Sequence, residues 1–425
     1  MTKELDRRTF LKAAAVAAAP ALLPALGANN KVGIGWIGLG IRGYAALDWL
    51  HTAAPNDVQI TAVCDTYQGY ITRAMDRMDK VWGNSPARYN DYHDLLRDKN
   101  VDAVFIMTPE HLHHDITIAA LRAGKHVYLE KPMTHTIEEG LNLVREWKES
   151  GKIVQVGTQL RSLSLYKKAK DLVQRGMIGE VHYARAYDYR NALPDNPVWR
   201  YPIPLDASPE NTDWARFLGP APKRPWNRER YFQWRLYWDY SGGISTDLLV
   251  HHADIINFML NKKVPISCMA SGAIARWKDG REVPDTFAAI YKFPGDLHID
   301  YNSYFGNENY GNGEQLCGDE GTIEVNNRNE LYFTPEAFRG FGTTSNAPEH
   351  VRARKPVHYT REPGEDDGVF NHFRNFIQAV LGNEQVITPP TEGLQGVIIS
   401  YMATLSFRNE KKVVWEDGES KVHFI

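Results

Sequence analysis

Gly38, Gly40 and Gly43 stand in a G-x-G-x-x-G arrangement, directly after the apolar run Val32–Ile37 and directly before a helical stretch, Tyr44–Leu50. An acid, Asp65, closes the next apolar run, Val58–Cys64, about 20 residues on. Those residue types at that spacing can hold a dinucleotide. Gly38 permits a tight turn, Gly40 lets the backbone approach a pyrophosphate, and Gly43 lets the helix pack on the strand. The free N–H groups where the helix starts, around Ile41 and Arg42, then hold the phosphates. Asp65 can accept hydrogen bonds from a ribose diol, and its charge repels a 2′-phosphate, so NAD(H) is favoured over NADP(H). The competing reading is a glycine-rich turn without a ligand. The strand–glycines–helix–strand–acid context weighs against it.

A second set of residues surrounds a histidine that can move protons, although helix capping and solvent exposure compete as readings of its two acids. Asp247, His251 and Asp254 are spaced i, i+4 and i+7 in a helical stretch, Thr246–Leu260, and so lie along one helix face. A neutral imidazole is well matched to accept a proton near neutral pH. Taken alone, a histidine on such a helix is more often a satisfied core residue. His111, His113 and His114, with His93 and Asp115 near in sequence, form a histidine cluster, but a metal needs ligands that converge in fixed geometry. No metal is expected. Cys64, Cys268 and Cys317 are widely spaced and lack a C-x-x-C, which indicates neither a disulfide framework nor a zinc site.

The elements that must position these residues fall into two groups. Residues 32–156 alternate strand and helix patterns, the signature of a parallel sheet with helices on both faces. Ligands of such a sheet sit outside the carboxyl ends of its strands. Three of those ends carry marked residues: Gly38–Gly43, Thr108-Pro109 to His113, and Glu130-Lys131-Pro132. After Gly157 the pattern changes to long Pro- and Trp-rich loops, a helix, and several strands separated by Gly, Pro and Asn from Pro265 to Phe333, which predicts an antiparallel sheet. A chain of 425 residues accommodates two domains. The expected division is a doubly wound α/β domain over 29–158 and an α+β domain over 159–425. The formal charge of −3 and the lack of a basic stripe exclude nucleic acid as a partner. No apolar run in the body of the chain reaches membrane-spanning length.

The glycine fingerprint, Thr108-Pro109 with His113, Glu130-Lys131-Pro132, and Gly242-Gly243-x-x-x-Asp247-x-x-x-His251-x-x-Asp254 occur together and in order. In this the chain resembles the glucose–fructose oxidoreductase / inositol dehydrogenase / rhizopine-catabolism (Gfo/Idh/MocA) family. The resemblance implies a Rossmann domain followed by an open, mainly antiparallel sheet that carries the substrate site and supports homo-oligomers. It implies that Thr108, Pro109, His113 and Glu130 belong with the cofactor and that Lys131 lies near the nicotinamide and the reacting oxygen. Asp247 and His251 then belong to the substrate site. In that setting His251 would take the hydroxyl proton, Lys131 would stabilise the alkoxide, and Asp247 would fix the His251 tautomer or bind a second hydroxyl. Arg161, Tyr189 and Trp238 are further substrate-binding candidates, with Gln159, Tyr187, Arg190 and Tyr240 beside them.

The first residues are of another kind. Arg7-Arg8-Thr9-Phe10-Leu11-Lys12 precedes an Ala/Leu-rich run, Ala13–Leu26, and small residues follow around Ala25–Ala28. This resembles a twin-arginine export signal over 1–28, with Asp6 where Ser or Thr is usual. Export by the twin-arginine machinery places the folded protein in the periplasm, free of the membrane once cleaved. Free NAD is scarce there, so a tightly bound cofactor is expected, as in the exported member of the family that regenerates it with a second sugar.

The leading reading is an NAD-dependent oxidoreductase of a sugar, glycoside or cyclitol hydroxyl that yields a keto-sugar. A redox-assisted glycoside hydrolase or lyase and a non-catalytic NAD-bound sugar sensor are the alternatives. Replacing both arginines, Arg7→Lys with Arg8→Lys, is expected to abolish the extracytoplasmic fraction in cell fractionation. An unchanged fraction would contradict export.

Overall fold

Six short strands, β1 (Val32–Ile37), β2 (Val58–Cys64), β3 (Ala87–Tyr89), β4 (Ala103–Ile106), β5 (His126–Glu130) and β6 (Val154–Gly157), form one parallel sheet in the order β3-β2-β1-β4-β5-β6. The computed structural model describes residues 31–338, 347–362, 367–418 and 420–425; the export-type segment, 1–28, lies outside the described residues. Strands β1, β4, β5 and β6 are buried along their whole length, which is why they read as unbroken apolar runs. The order reverses between β1 and β4, and that switch point opens the crevice where a doubly wound sheet takes its ligand. At its floor Gly38 has φ +95°, and a Cβ there would lie 2.7 Å from the Met107 carbonyl carbon. A Cβ on Gly43 would lie 2.0 Å from the Gly38 carbonyl oxygen. Only glycine fits either place.

The chain does not divide as cleanly as its order suggests. Trp36, Phe105 and Tyr128 stand side by side on β1, β4 and β5, with stacked rings 4.9 and 4.8 Å apart. Phe373 and Phe376 of the helix Gly368–Val380 pack edge-on against Phe105 and Tyr128 and help to bury this row. A parallel sheet needs both faces covered. Part of that cover comes from the far end of the chain, so a helix expected in the second domain serves the first.

The second sheet has ten strands: β7 (Val181–Tyr189), β8 (Ser267–Ala273), β9 (Thr286–Lys292), β10 (His298–Tyr304), β11 (Asn312–Gly318), β12 (Gly321–Asn326), β13 (Glu330–Pro335), β14 (Val357–Thr360), β15 (Val413–Glu416) and β16 (Lys421–Phe424). Their order is β14-β13-β12-β11-β7-β10-β9-β8-β15-β16, antiparallel except where β7 runs parallel to β10. One face packs on the helices Val250–Leu260 and Pro390–Asn409; the other is open, as the alternating burial of β9 shows. Among the described residues no helix is long and apolar enough to cross a membrane.

The stretch expected as one helix from Thr246 to Leu260 begins with a π turn, Ser245–Leu249, and becomes α-helical at Val250. The amide of Val250 reaches back to the Ser245 carbonyl. Such turns, which break the regular helical spacing, occur often at functional sites.

Candidate active site

A cavity of about 480 Å³ runs along the junction of the two sheets' domains. The Rossmann side supplies Gly38, Gly40, Ile41, Arg42, Asp65, Thr108, Pro109, Glu130 and Lys131. Gly40 caps the helix Ile41–Ala53 without a side-chain bond, and no acid sits in that helix's first turn. A Cβ on Gly40 would meet nothing closer than Tyr70 Cε2, at 3.8 Å. Gly40 and the first helical residues, Ile41 and Arg42, line the cavity. Asp65 is buried across from them. Its Oδ2 accepts from the Leu39 amide at 2.6 Å, and its Oδ1 accepts from the Tyr67 amide at 2.9 Å and the Tyr231 hydroxyl at 3.2 Å. Burial pushes the Asp65 carboxyl up, and the two amides pull against that. Arg42 bonds Glu130 Oε1 through Nε at 3.1 Å and Nη2 at 2.9 Å, tying the fingerprint helix to the end of β5.

Lys131 meets the second domain. Its Nζ donates to the Asp247 carbonyl at 2.7 Å and to Asp247 Oδ1 at 3.0 Å. Arg235 Nε donates to the same Oδ1 at 3.1 Å. Burial opposes ionisation of Asp247, but Lys131 and Arg235, with Arg190 beyond them, outweigh it and hold the carboxyl well below the usual carboxylate range. His251 lies next to this group. Burial, then the charges of Lys131 and Arg328, push its imidazole well below its ordinary value, so it is neutral at working pH. Asp247 is engaged by the two cations and forms no hydrogen bond to His251, so the expected tautomer-fixing contact is absent. Among the described residues His251 Nδ1 is buried without a partner, as are Thr108 Oγ1 and Gln159 Oε1 on the same cavity.

Several expected residues lie elsewhere. Gly43 does not line the cavity; it packs under Gly38. His113 is buried behind the wall, with ring nitrogens 2.7 Å from the Pro132 carbonyl and 3.0 Å from the Thr108 carbonyl, and it ties the ends of β4 and β5 together. His111 and His114 face other partners, the Phe217 carbonyl for one and Asp115 and Asn142 for the other. Arg161 is a correction to the sequence reading. It is 4% exposed, binds both Asp254 oxygens from Nε at 2.9 Å and reaches Glu392 at 3.1 Å, so Arg161 and Asp254 neutralise each other away from the cavity. Tyr189 is also displaced from the site, between Tyr187 and Tyr310 with its hydroxyl on Asn302. Trp238 packs on Phe407 and under Arg408, and Trp199 and Trp234 line the cavity instead.

Sequence reasoning missed Glu110, Arg235, Arg328 and Tyr231. Glu110 is 2% exposed, accepts from Thr246 Oγ1 at 3.0 Å and from the Gly242 amide, and so fastens the Rossmann domain to the turn that carries Asp247. Its position one residue after Thr108-Pro109, at a strand's carboxyl end, is the signal that could have found it.

Profiles of known families match both halves. The one described as oxidoreductase family, NAD-binding Rossmann fold, matches residues 32–158. Those described as oxidoreductase family, C-terminal alpha/beta domain, match 222–414 and 166–276. The chain belongs to the Gfo/Idh/MocA oxidoreductase family. A twin-arginine translocation pathway signal profile matches residues 4–24.

An inositol 2-dehydrogenase/D-chiro-inositol 3-dehydrogenase of Lactiplantibacillus plantarum is 30% identical over 206 residues, 46% of this chain and 56% of that one. Glycosyl hydrolase family 109 protein 2 of Shewanella sp. (strain ANA-3) is 30% identical over 212 residues, 43% of this chain and 45% of that one. The chain thus matches about half the length of these curated relatives. The solved levoglucosan dehydrogenase, in complex with NADH and levoglucosan, superposes with a TM-score of 0.69 at 18% identity, covering 90% of this chain and 99% of that one. It shares the fold.

The buried ion-pair group at the junction can be tested by Asp247→Asn, which leaves Lys131 and Arg235 facing each other without a counter-charge. The expected loss is about 3 kcal/mol in denaturant unfolding. Because the Asp247 carboxyl lies below its ordinary value of 3.8, its stabilisation is present above that pH and lost only as pH falls through the folded value. The loss should therefore be the same from about pH 5 to about pH 8. A loss under about 1 kcal/mol would contradict the pairing.

Proposed function

We propose that the protein is an exported, NAD-dependent oxidoreductase that removes hydrogen from a carbinol of a sugar, glycoside or cyclitol. The observation that carries this reading is a single cavity that joins the glycine fingerprint and Asp65 to Lys131, Asp247 and His251. The open first turn after Gly40 and the orphaned Thr108 and Gln159 atoms fit a dinucleotide, with Asp65 toward a ribose. Bound there, NAD⁺ supplies a hydride acceptor. The charge of Asp65 supports NAD(H) over NADP(H). Tyr231, which bonds both Asp65 and Thr66 from the second domain, supports slow release of the cofactor.

The chain's own groups then act on the substrate hydroxyl. Lys131, anchored by Asp247, presents a cation to the oxygen and lowers the cost of its negative charge. His251, kept neutral, accepts the departing proton. General-base help of this kind contributes roughly 10²–10⁴-fold. Asp247 orients Lys131 and leaves His251 free. Export rests on the match to a twin-arginine signal at 4–24. The open sheet face, where Met269 and Ile290 are each 58% exposed, supports pairing with a second copy.

Resemblance to a glycosyl hydrolase family 109 protein favours a second reading, in which the same proton transfer serves transient oxidation and glycosidic cleavage. Single-turnover reduction of bound dinucleotide, followed at the nicotinamide absorbance, tests the first. His251→Ala is expected to lower that rate by roughly 10²–10⁴-fold while dinucleotide binding persists. In the unsubstituted protein the acid limb of the rate should fall well below pH 6.5, because His251 holds its accepting form to below that value. Full rate in His251→Ala, or an acid limb at or above pH 6.5, would overturn the assignment.

A further inference from the structure

The substrate end of the cavity carries more positive than negative charge. Lys131 and Arg235 share one carboxylate, Asp247. Arg190 is taken by the buried Asp188, at 2.8 Å. Behind them the buried His252 lies 2.7 Å from Glu314 and 3.5 Å from Asp188, and burial lowers its affinity for a proton while Asp188 and Glu314 more than restore it. The other acids on the wall are already matched, Glu130 by Arg42 and Glu110 by His135. Arg328 is not matched. It sits in the turn between β12 and β13, beside His251 on the cavity, and forms no ion pair among the described residues. Its Nε is buried with no hydrogen-bond partner.

A guanidinium half withdrawn from water without a carboxylate is costly unless a ligand completes it. We infer that the sugar this site takes carries an anionic group, a carboxylate or a phosphate, which Arg328 receives while the reacting hydroxyl lies between Lys131 and His251. A planar fork of N–H donors suits either oxyanion, in the two-point fashion that arginine makes with both. The pyrophosphate of a dinucleotide does not meet this need. It belongs at the start of the helix Ile41–Ala53, on the Rossmann side, whereas Arg328 comes from the second sheet next to the proton acceptor. The inference rests on the carbohydrate reading of the site and names the class of carbohydrate.

The test is calorimetric binding to the dinucleotide-loaded full chain. Hexuronates and hexose 6-phosphates of gluco, galacto and manno configuration are each compared with the neutral hexose. The two anionic arms separate carboxylate from phosphate. At least one anion is expected to bind roughly 10- to 100-fold more tightly than its neutral parent, with the advantage shrinking as salt is added. Arg328→Gln should erase that advantage and Arg328→Lys retain part of it, with dinucleotide content unchanged in both. Parity between every anion and its parent would overturn the inference. So would a loss of dinucleotide in Arg328→Gln with the sugar preference intact, which would assign Arg328 to the cofactor. Tight binding of an anionic sugar that never reduces the dinucleotide would remove the oxidation reading and leave this one standing.

Discussion

Lys131 leaves the end of a Rossmann strand and ends on Asp247, in a turn of the second domain. Everything else about the site depends on that contact. It fixes where the second domain sits over the switch point between β1 and β4. It removes the Asp247 carboxylate from competition for His251 and leaves an ammonium and a neutral imidazole side by side in one cavity. Two oppositely charged groups buried together contribute little net stability, because desolvation offsets their attraction. What the pair supplies is position, with Glu110 as a second fastening from Thr246 and Gly242 to the strand end beside it.

Further contacts hold the long loop of the second domain against the nucleotide end. The Gln68 amide donates to the Asn211 carbonyl at 3.0 Å, the Asp213 amide to Thr66 at 2.7 Å, and the Tyr67 hydroxyl to Asp206 at 2.6 Å. Arg216 pairs with Asp91 at 2.9 Å. Tyr231 of the same domain reaches Asp65, so the acid proposed to meet the ribose is itself enclosed by the other domain. The glycine-fingerprint end of the cavity and the Lys131–His251 end thus share one continuous lining.

Much of this was legible in the sequence, and the reasons differ by residue. The fingerprint, Asp65 and Lys131 were readable because each follows directly on a strand, and the strand is a local apolar signal. The open second sheet was readable from short runs broken by Gly, Pro and Asn. The role of the helix Gly368–Val380 as cover for the Rossmann sheet was not readable, because its partners Phe105 and Tyr128 are far away in the chain. Arg161 looked like a site residue because charge is visible in a sequence and its pairing with Asp254 is not. Tyr189 shared a strand face with Tyr187, but period two does not say which face meets the cavity. Arg328 was hidden in the β12–β13 turn, where Asn327 and Arg328 both adopt positive φ and nothing in the residue types points to a site across the sheet. His252, the residue after His251, is a buried member of the Asp188–Glu314 group.

The proposed role of His251 is to take the proton released in a net oxidation of a carbinol. Product analysis on a panel of neutral and uronate aryl glycosides, scored together with the redox state of the dinucleotide, addresses it most directly. The expected product is an oxidised glycoside with its aglycone still attached, formed in equimolar amount with reduced dinucleotide. Free aglycone without net reduction of the dinucleotide would contradict it.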